Sequence, residues 1–207
     1  MELDHVLIPL DDLSKAVTEF EERYGLVSVE GGRHADWGTA NRIIPLGDSY
    51  LELVAVIDPA DASQSTFGRW VANAQAGRPL GWAVRTDDLG AVSGRLGLSV
   101  GSGARLTGTG NVLRWRIAGV ERAMAQPSLP FFIDWAAGSQ YPGRIEVEHP
   151  AAATGIKRLI VSGEPKRLSS WLDGHRPPVT LADGAPGLIA VVVSTTSGEI
   201  VVGTKSQ

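Results

Sequence analysis

The stretch LDHVLIPLDDL, residues 3–13, runs an apolar strand into a helix start and sets a histidine inside the strand. His5, Leu7 and Pro9 alternate with Val6, Ile8 and Leu10, the two-residue period of a β-strand. Asp11 or Asp12 then offers a helix N-cap. Leu13, Ala16, Val17, Phe20 and Tyr24 follow at helical spacing, with Lys15, Glu19, Glu22 and Arg23 on the wet side. Gly25 is placed to stop that helix. Three strand-like segments come next, LVSVE (26–30), NRIIPL (41–46) and YLELVAVI (50–57), with Gly31-Gly32 and Gly47-Asp48 as turn chemistry between them. The unit reads β-α-β-β-β.

The same order recurs. After a connector over 58–78 with a short helical stretch, FGRWVANA, the segment LGWAVRTDDLGAVSGRLG (80–97) repeats the opening, Asp87-Asp88-Leu89 matching Asp11-Asp12-Leu13. Strand candidates ARLTG (104–108), VLRWRIA (112–118) and PFFIDWA (130–136) complete a second unit. A third, shorter copy begins at GIKRLIVSGEPKRLSSWLDG (155–174), with Pro165 in a first helical turn and Gly174 as a stop. LIAVVVS and GEIVVG follow as a hairpin around Ser197-Gly198. Recurrence at this scale means architecture. The expected fold is α+β: repeated βαβββ modules over 1–57 and 79–137 whose curved mixed sheet makes a cup, and a third partial module over 144–207 in one compact unit. Half-sheets of this kind leave edges to cover, so a homodimer is expected.

Composition narrows the functional classes. A chain of 207 residues, 43% hydrophobic and 20% charged, suffices for a sizeable core. Its net charge of −4 argues against a nucleic-acid or anionic-membrane partner. No apolar run reaches the roughly 18 residues of a spanning helix, and GLIAVVV (187–193) reads as a buried strand. The start, MELDHVLIPL, has neither a basic leader nor an apolar signal core, so a cytoplasmic location is expected. With no cysteine, any metal must be held by histidine and carboxylate. The glycine-rich run GSGARLTGTGN (101–111) lies between strands, which argues against a phosphate loop. No Gly-x-Ser-x-Gly elbow and no i, i+4 histidine pair is present.

Paired βαβββ modules with a histidine in the first strand and a glutamate in the fourth resemble the vicinal oxygen chelate superfamily. That group includes glyoxalase I, extradiol dioxygenases and bleomycin-resistance proteins. The segment GGRHADWGTANRIIPLGDSYLELVAV (31–56), with its His, Gly-Thr-x-Asn and Tyr-Leu-Glu-Leu in order, is similar to the glyoxalase-like branch. The resemblance is clearest over residues 2–57 and implies metal ligands on the first and fourth strands of each module. His5 and Glu52 match two of these positions. In the second module Gly81, beside Trp82, falls opposite His5, and matching YLEL to FIDW puts Asp134 opposite Glu52. Of these, only Asp134 can ligate. His34 and His149 are the residues that could fill the gap, and iron, manganese, zinc or nickel would suit such a site. It would polarise vicinal oxygens and stabilise an enediolate. Glu52 is the expected catalytic base where no metal is held.

Plainer readings stand beside these. Glu52 could pair with Arg42, and His34 could bond Thr39 or Asn41. His149 could be structural, and Asp134 could meet Arg114 or Arg116. His175, in DGHRPP, reads as an exposed loop residue. Trp82, Trp115 and Trp135 suit core packing or, with Asn41 and Asp134, the wall of a pocket for an apolar or ring-shaped ligand. Two functions are therefore expected of the cup. One is metal-dependent isomerase, lyase or dioxygenase chemistry on a small oxygenated molecule. The other is non-catalytic binding and sequestration of a small-molecule ligand.

Overall fold

The computed structural model describes residues 1–106 and 112–203. Residues 107–111 of the glycine-rich run, and with them the end of the strand expected over 104–108, lie outside the described residues. The first module is β1 (Glu2–Pro9), α1 (Leu13–Tyr24), β2 (Val29–His34), β3 (Thr39–Leu46) and β4 (Ser49–Val56). A connector follows with two short helices, α2 (Pro59–Gln64) and α3 (Thr66–Ala72). The second module is β5 (Gly81–Arg85), α4 (Leu89–Leu96), β6 (Val100–Leu106), β7 (Val112–Ala118), α5 (Val120–Ala125) and β8 (Phe131–Trp135). Helix α5, between β7 and β8, is an addition to the expected pattern. The C-terminal unit is β9 (Ala153–Ser162), α6 (Pro165–Trp171), β10 (Val179–Ala182), β11 (Gly187–Thr195) and β12 (Gly198–Gly203).

The Asp-Asp-Leu marker is a helix start in both modules. Asp12 accepts a hydrogen bond from the Ser14 amide, and Asp88 accepts one from the Ala91 amide. Each helix ends on a left-handed glycine, Gly25 (φ 64°) and Gly97 (φ 63°). Capping at both ends fixes the helix lengths, so α1 lays Val17 and Phe20 on the sheet. Burying such a side chain contributes about 1.5–3 kcal/mol.

The two modules form one eight-stranded, nearly closed sheet in the order β2-β3-β4-β1-β5-β8-β7-β6. Within each module the first and last strands pair in parallel, β1 with β4 and β5 with β8. The modules meet where β1 runs antiparallel to β5, with Val6 opposite Trp82 and Leu7 opposite Gly81. Strand β1 is central, and everything after Glu2 in it is buried. Both of its faces are covered, which is why its polar alternation is weak.

One face of the large sheet carries Val6, Ile8, Leu51 and Leu53, packed with Phe20 of α1 and Leu89 of α4 in one apolar cluster. That cluster extends into Leu159, Val161, Leu188 and Val191 of the second sheet, ordered β10-β9-β11-β12. The third unit therefore thickens the outside of the cup and, among the described residues, supplies no part of its lining. A second cluster fills the concave side, where Leu7, Val54, Ala83 and Phe131 meet Phe67 and Trp70 of α3 and Ala123 of α5. Among the described residues no helix is long and apolar enough to cross a membrane.

Candidate functional site

The concave side holds a narrow, partly open cavity of about 30 Å³. By the usual ~10–15 Å³ per water, that is room for roughly two waters, so a ligand must be small or flat. Its walls are lopsided. Module one supplies His5, His34, Asn41 and Glu52, whereas module two supplies Trp115, Phe131, Ile133 and Trp135, with Arg105 as its one charged residue among the lining.

His5 sits between two carboxylates. Its Nδ1 donates to Asp4 Oδ1 at 2.6 Å, and its Nε2 lies 3.7 Å from Glu52 Oε2. Adjacent residues of a regular strand point to opposite faces. Here the β1–β5 register shifts between Leu3 and His5, and that irregularity lets the Asp4 carboxylate reach its neighbour's ring. Asp4 is wholly buried and also receives hydrogen bonds from Trp135 Nε1 (3.0 Å) and Arg85 Nη1 (3.5 Å). With Nδ1–H committed to Asp4, a neutral His5 turns a lone pair toward Glu52. Two acceptors facing each other call for a proton, a water or a cation between them. Tyr50 stacks on the His5 ring with centroids 4.7 Å apart and holds its plane; burial keeps its own hydroxyl well above the ordinary tyrosine pKa.

Asn41 joins the other polar groups. Its Nδ2 donates to Glu52 Oε1 at 2.8 Å and approaches His34 Nε2 at 3.4 Å, while its Oδ1 accepts from Arg105 Nη1 at 3.2 Å. The amide thus bridges a cation and a carboxylate. His34 Nδ1 bonds Thr39 Oγ1 at 3.0 Å. Both expected partners of His34 are therefore met, and His34 is the last residue of β2. The strand persists because Gly31, at a register shift opposite β3, leaves space that a side chain would fill.

Burial pushes the His34 pKa down from 6.5 to about 4; Glu52 opposes this, and Arg105 and His5 add to it. The unfolded chain therefore binds a proton at this site between pH 6.5 and 4 that the folded chain refuses. The stability arising from this difference is fully present above pH 6.5 and is lost as pH falls toward 4. The expected loss between pH 7 and 5 is about 2 kcal/mol. Urea unfolding at the two pH values checks this: His34→Gln should shrink the drop, and an unchanged drop would refute it.

The remaining expected residues are scattered by strand parity. Trp115 and Trp135 line the cavity, but Trp82 does not. It stands opposite Val6, so it shares Val6's outer face and is buried in the outer cluster. Asp134 is likewise corrected. Phe131, Ile133 and Trp135 face the cavity, which turns Asp134 to the other face, where it pairs with Arg116. The parallel register pairs Leu7 with Glu52 in one module and Ala83 with Phe131 in the other, making Phe131 the counterpart of Glu52. His149 is not available as a ligand. Its Nδ1 accepts from the Val27 amide at 3.0 Å and its Nε2 donates to Pro45 O at 2.8 Å. Arg42 bonds Ser28 rather than Glu52, and His175 is exposed.

Gly81 has a physical reason. A Cβ there would lie 2.4 Å from the Trp70 ring, which occupies the space a second-module histidine would need. Among the described residues no three His, Asp or Glu side chains group closely enough to hold one ion. His5 and Glu52 alone, backed by Asp4, fall short of the three protein ligands usual in catalytic metal centres. The donor set does not fit the expected chelate.

Asp4, Arg105 and Phe131 were not singled out by sequence. A strand aspartate beside a histidine reads as facing away from it, and an arginine near a sheet edge reads as solvated. Only the local irregularity of β1 and the near-closure of the sheet bring the first two inward.

A family model described as Glyoxalase-like domain matches residues 3–175. Among solved structures, a hypothetical protein from Staphylococcus aureus is similar over 93% of this chain and 90% of its own, with a TM-score of 0.70 and 16% identity. Methylmalonyl-CoA epimerase from Mycobacterium tuberculosis is 21% identical, covering 64% of this chain and 85% of its own at a TM-score of 0.46. The Streptomyces coelicolor epimerase is 19% identical, covering 66% and 97% at 0.48. No curated protein matches the chain. The Staphylococcus likeness shows the fold, and its coverage includes most of the C-terminal sheet.

Proposed function

Because the chain belongs to the glyoxalase-like domain family of the vicinal oxygen chelate superfamily, we propose that it moves a proton at a carbon beside a carbonyl in a small oxygenated molecule. The observation that carries this is the placement of Glu52. It is buried in the cavity wall, held on Oε1 by Asn41, and faces His5 with Oε2. In the step, a substrate C–H bond breaks and the proton passes to Glu52. The electron pair moves onto the carbonyl oxygen as an enolate, and the proton returns to the same carbon or, in an α-hydroxy ketone whose hydroxyl proton passes to the former carbonyl oxygen, to the neighbouring carbon as the new carbonyl forms. Asp4 holds the His5 ring, whose Nε2 faces the far oxygen of the base at 3.7 Å without donating to it. The aromatic wall excludes water from the anion. The donor set does not fit a metal, and a buried carboxylate facing an aromatic-walled cavity suits proton transfer better than ring-cleaving oxygenation.

A second reading is binding without turnover, favoured by the second module's side of the cavity, whose lining is mostly apolar and includes no His, Asp or Glu among the described residues. One experiment separates the two. Wild-type protein is incubated in heavy water with a panel of 2-oxo acids and α-hydroxy ketones, and loss of the proton beside the carbonyl is followed by NMR. The wild type should wash out that proton in at least one compound, and Glu52→Gln should slow this by about 10²–10⁴-fold. Equal exchange in both proteins, or none in either, would overturn the reading; a compound bound but never exchanged would favour the second.

A further inference from the structure

We propose that Arg105 forms an acid-binding subsite, so that the ligand of this cavity is a small carboxylate with an apolar body. The inference rests on the reading of the cavity as a substrate site and adds the substrate's chemical class. Arg105 is 6% exposed and lines the cavity from β6. A buried guanidinium normally has a carboxylate partner, because an unpaired buried charge carries a large desolvation penalty. The ion pairs among the described residues use Arg85, Arg116, Arg144, Lys157 and Arg158, and none of them uses Arg105.

Glu52 is the carboxylate that lines the same cavity, and Asn41 links the two by donating to Glu52 while accepting from Arg105. The fold also makes room for this arrangement. At Gly31 a Cβ would lie 2.7 Å from Arg105 Nη1 and 2.0 Å from Asn41 Oδ1. The same cavity is walled by indole and phenyl rings, of Trp37, Phe67 and Trp115 among others. A carboxylate presents two oxygens to such a fork, and a planar or short apolar body suits the narrow aromatic space. An acid bound here would set its neighbouring carbon and carbonyl between Arg105 and Glu52.

Calorimetry on the full chain tests this with three acids, formate, acetate and propionate, each beside its neutral amide, and with inorganic phosphate. At least one acid should bind ten times or more tighter than its amide. Arg105→Met should abolish that preference while leaving the amide's affinity within about twofold, and Arg105→Lys should keep part of it. Equal binding of acid and amide, no binding of any acid, or a preference surviving in Arg105→Met would each overturn the proposal. Phosphate binding tighter than every acid would replace carboxylate by phosphate. If Arg105→Met does not fold, the wild-type acid-to-amide ratio and Arg105→Lys still decide. Acid binding by calorimetry and proton exchange by NMR are separate readouts on the wild type, so acid binding without exchange fails only the proton-transfer reading, and equal binding of acid and amide fails only the subsite.

Discussion

Gly31→Ala is expected to destabilise the protein by about 2–4 kcal/mol, far more than a surface glycine-to-alanine change. The added methyl would sit 2.0 Å from Asn41 Oδ1 and 2.7 Å from both Asn41 O and Arg105 Nη1. One of those three is backbone, so rotating a side chain cannot relieve the clash. Strand β2 must instead move away from β3, or Asn41 must give up its bonds to Glu52 and Arg105. Either course leaves buried polar groups short of partners, which adds a desolvation cost to the overpacking. Gly94→Ala is the matched control. Gly94 lies in α4, is exposed, and a Cβ there meets nothing within 4 Å. Alanine there should stabilise the helix by roughly 0.5–1 kcal/mol. Urea titrations of both variants decide the matter, and a Gly31→Ala protein within 0.5 kcal/mol of wild type, roughly the noise of a surface substitution, would contradict the clash.

What could be read without coordinates depended on how local the determining physics is. The second aspartate of each Asp-Asp-Leu caps a helix through bonds to residues two or three positions on. Gly25 and Gly97 close those helices, so the module order followed from short-range chemistry. His5 and Glu52 were legible because each sits at a fixed place on its strand, and the parallel register of β1 with β4 brings them together. The second module was misaligned by its fourth strand. Choosing Asp134 over Phe131 as the counterpart of Glu52 crosses an odd number of residues, and an odd shift exchanges the two faces of a strand. Trp82 failed for the same reason, its face being set by its pairing with Val6. His149 depends on contacts more than a hundred residues away in sequence, to Val27 and Pro45. Such long-range satisfaction leaves no periodicity to read.

Asp4→Asn is expected to leave the fold standing while lowering proton exchange on a responsive substrate by about 10²–10⁴-fold. The carboxylate fixes the His5 tautomer, because an acceptor at 2.6 Å from Nδ1 keeps the hydrogen on that nitrogen. An asparagine in the same place can offer its N–H instead and pull the hydrogen to Nε2. That hydrogen would then point at Glu52 Oε2, 3.7 Å away, and engage the base. The Trp135 Nε1 and Arg85 Nη1 donors retain an oxygen to bond in Asp4→Asn and lose it in Asp4→Ala, so only the alanine variant should unfold at markedly lower temperature. Rate alone would not distinguish a positioning role from a structural one. Two-bond proton–nitrogen NMR of the histidine rings does, since the two neutral tautomers give different cross-peak patterns and His5 is assigned by its absence in His5→Gln. Wild type should show hydrogen on Nδ1, and Asp4→Asn should show it on Nε2. An unchanged tautomer with a reduced rate would mean that Asp4 acts through packing. An unchanged rate with a switched tautomer would remove the Asp4–His5 pair from the chemistry and leave Glu52 to act alone.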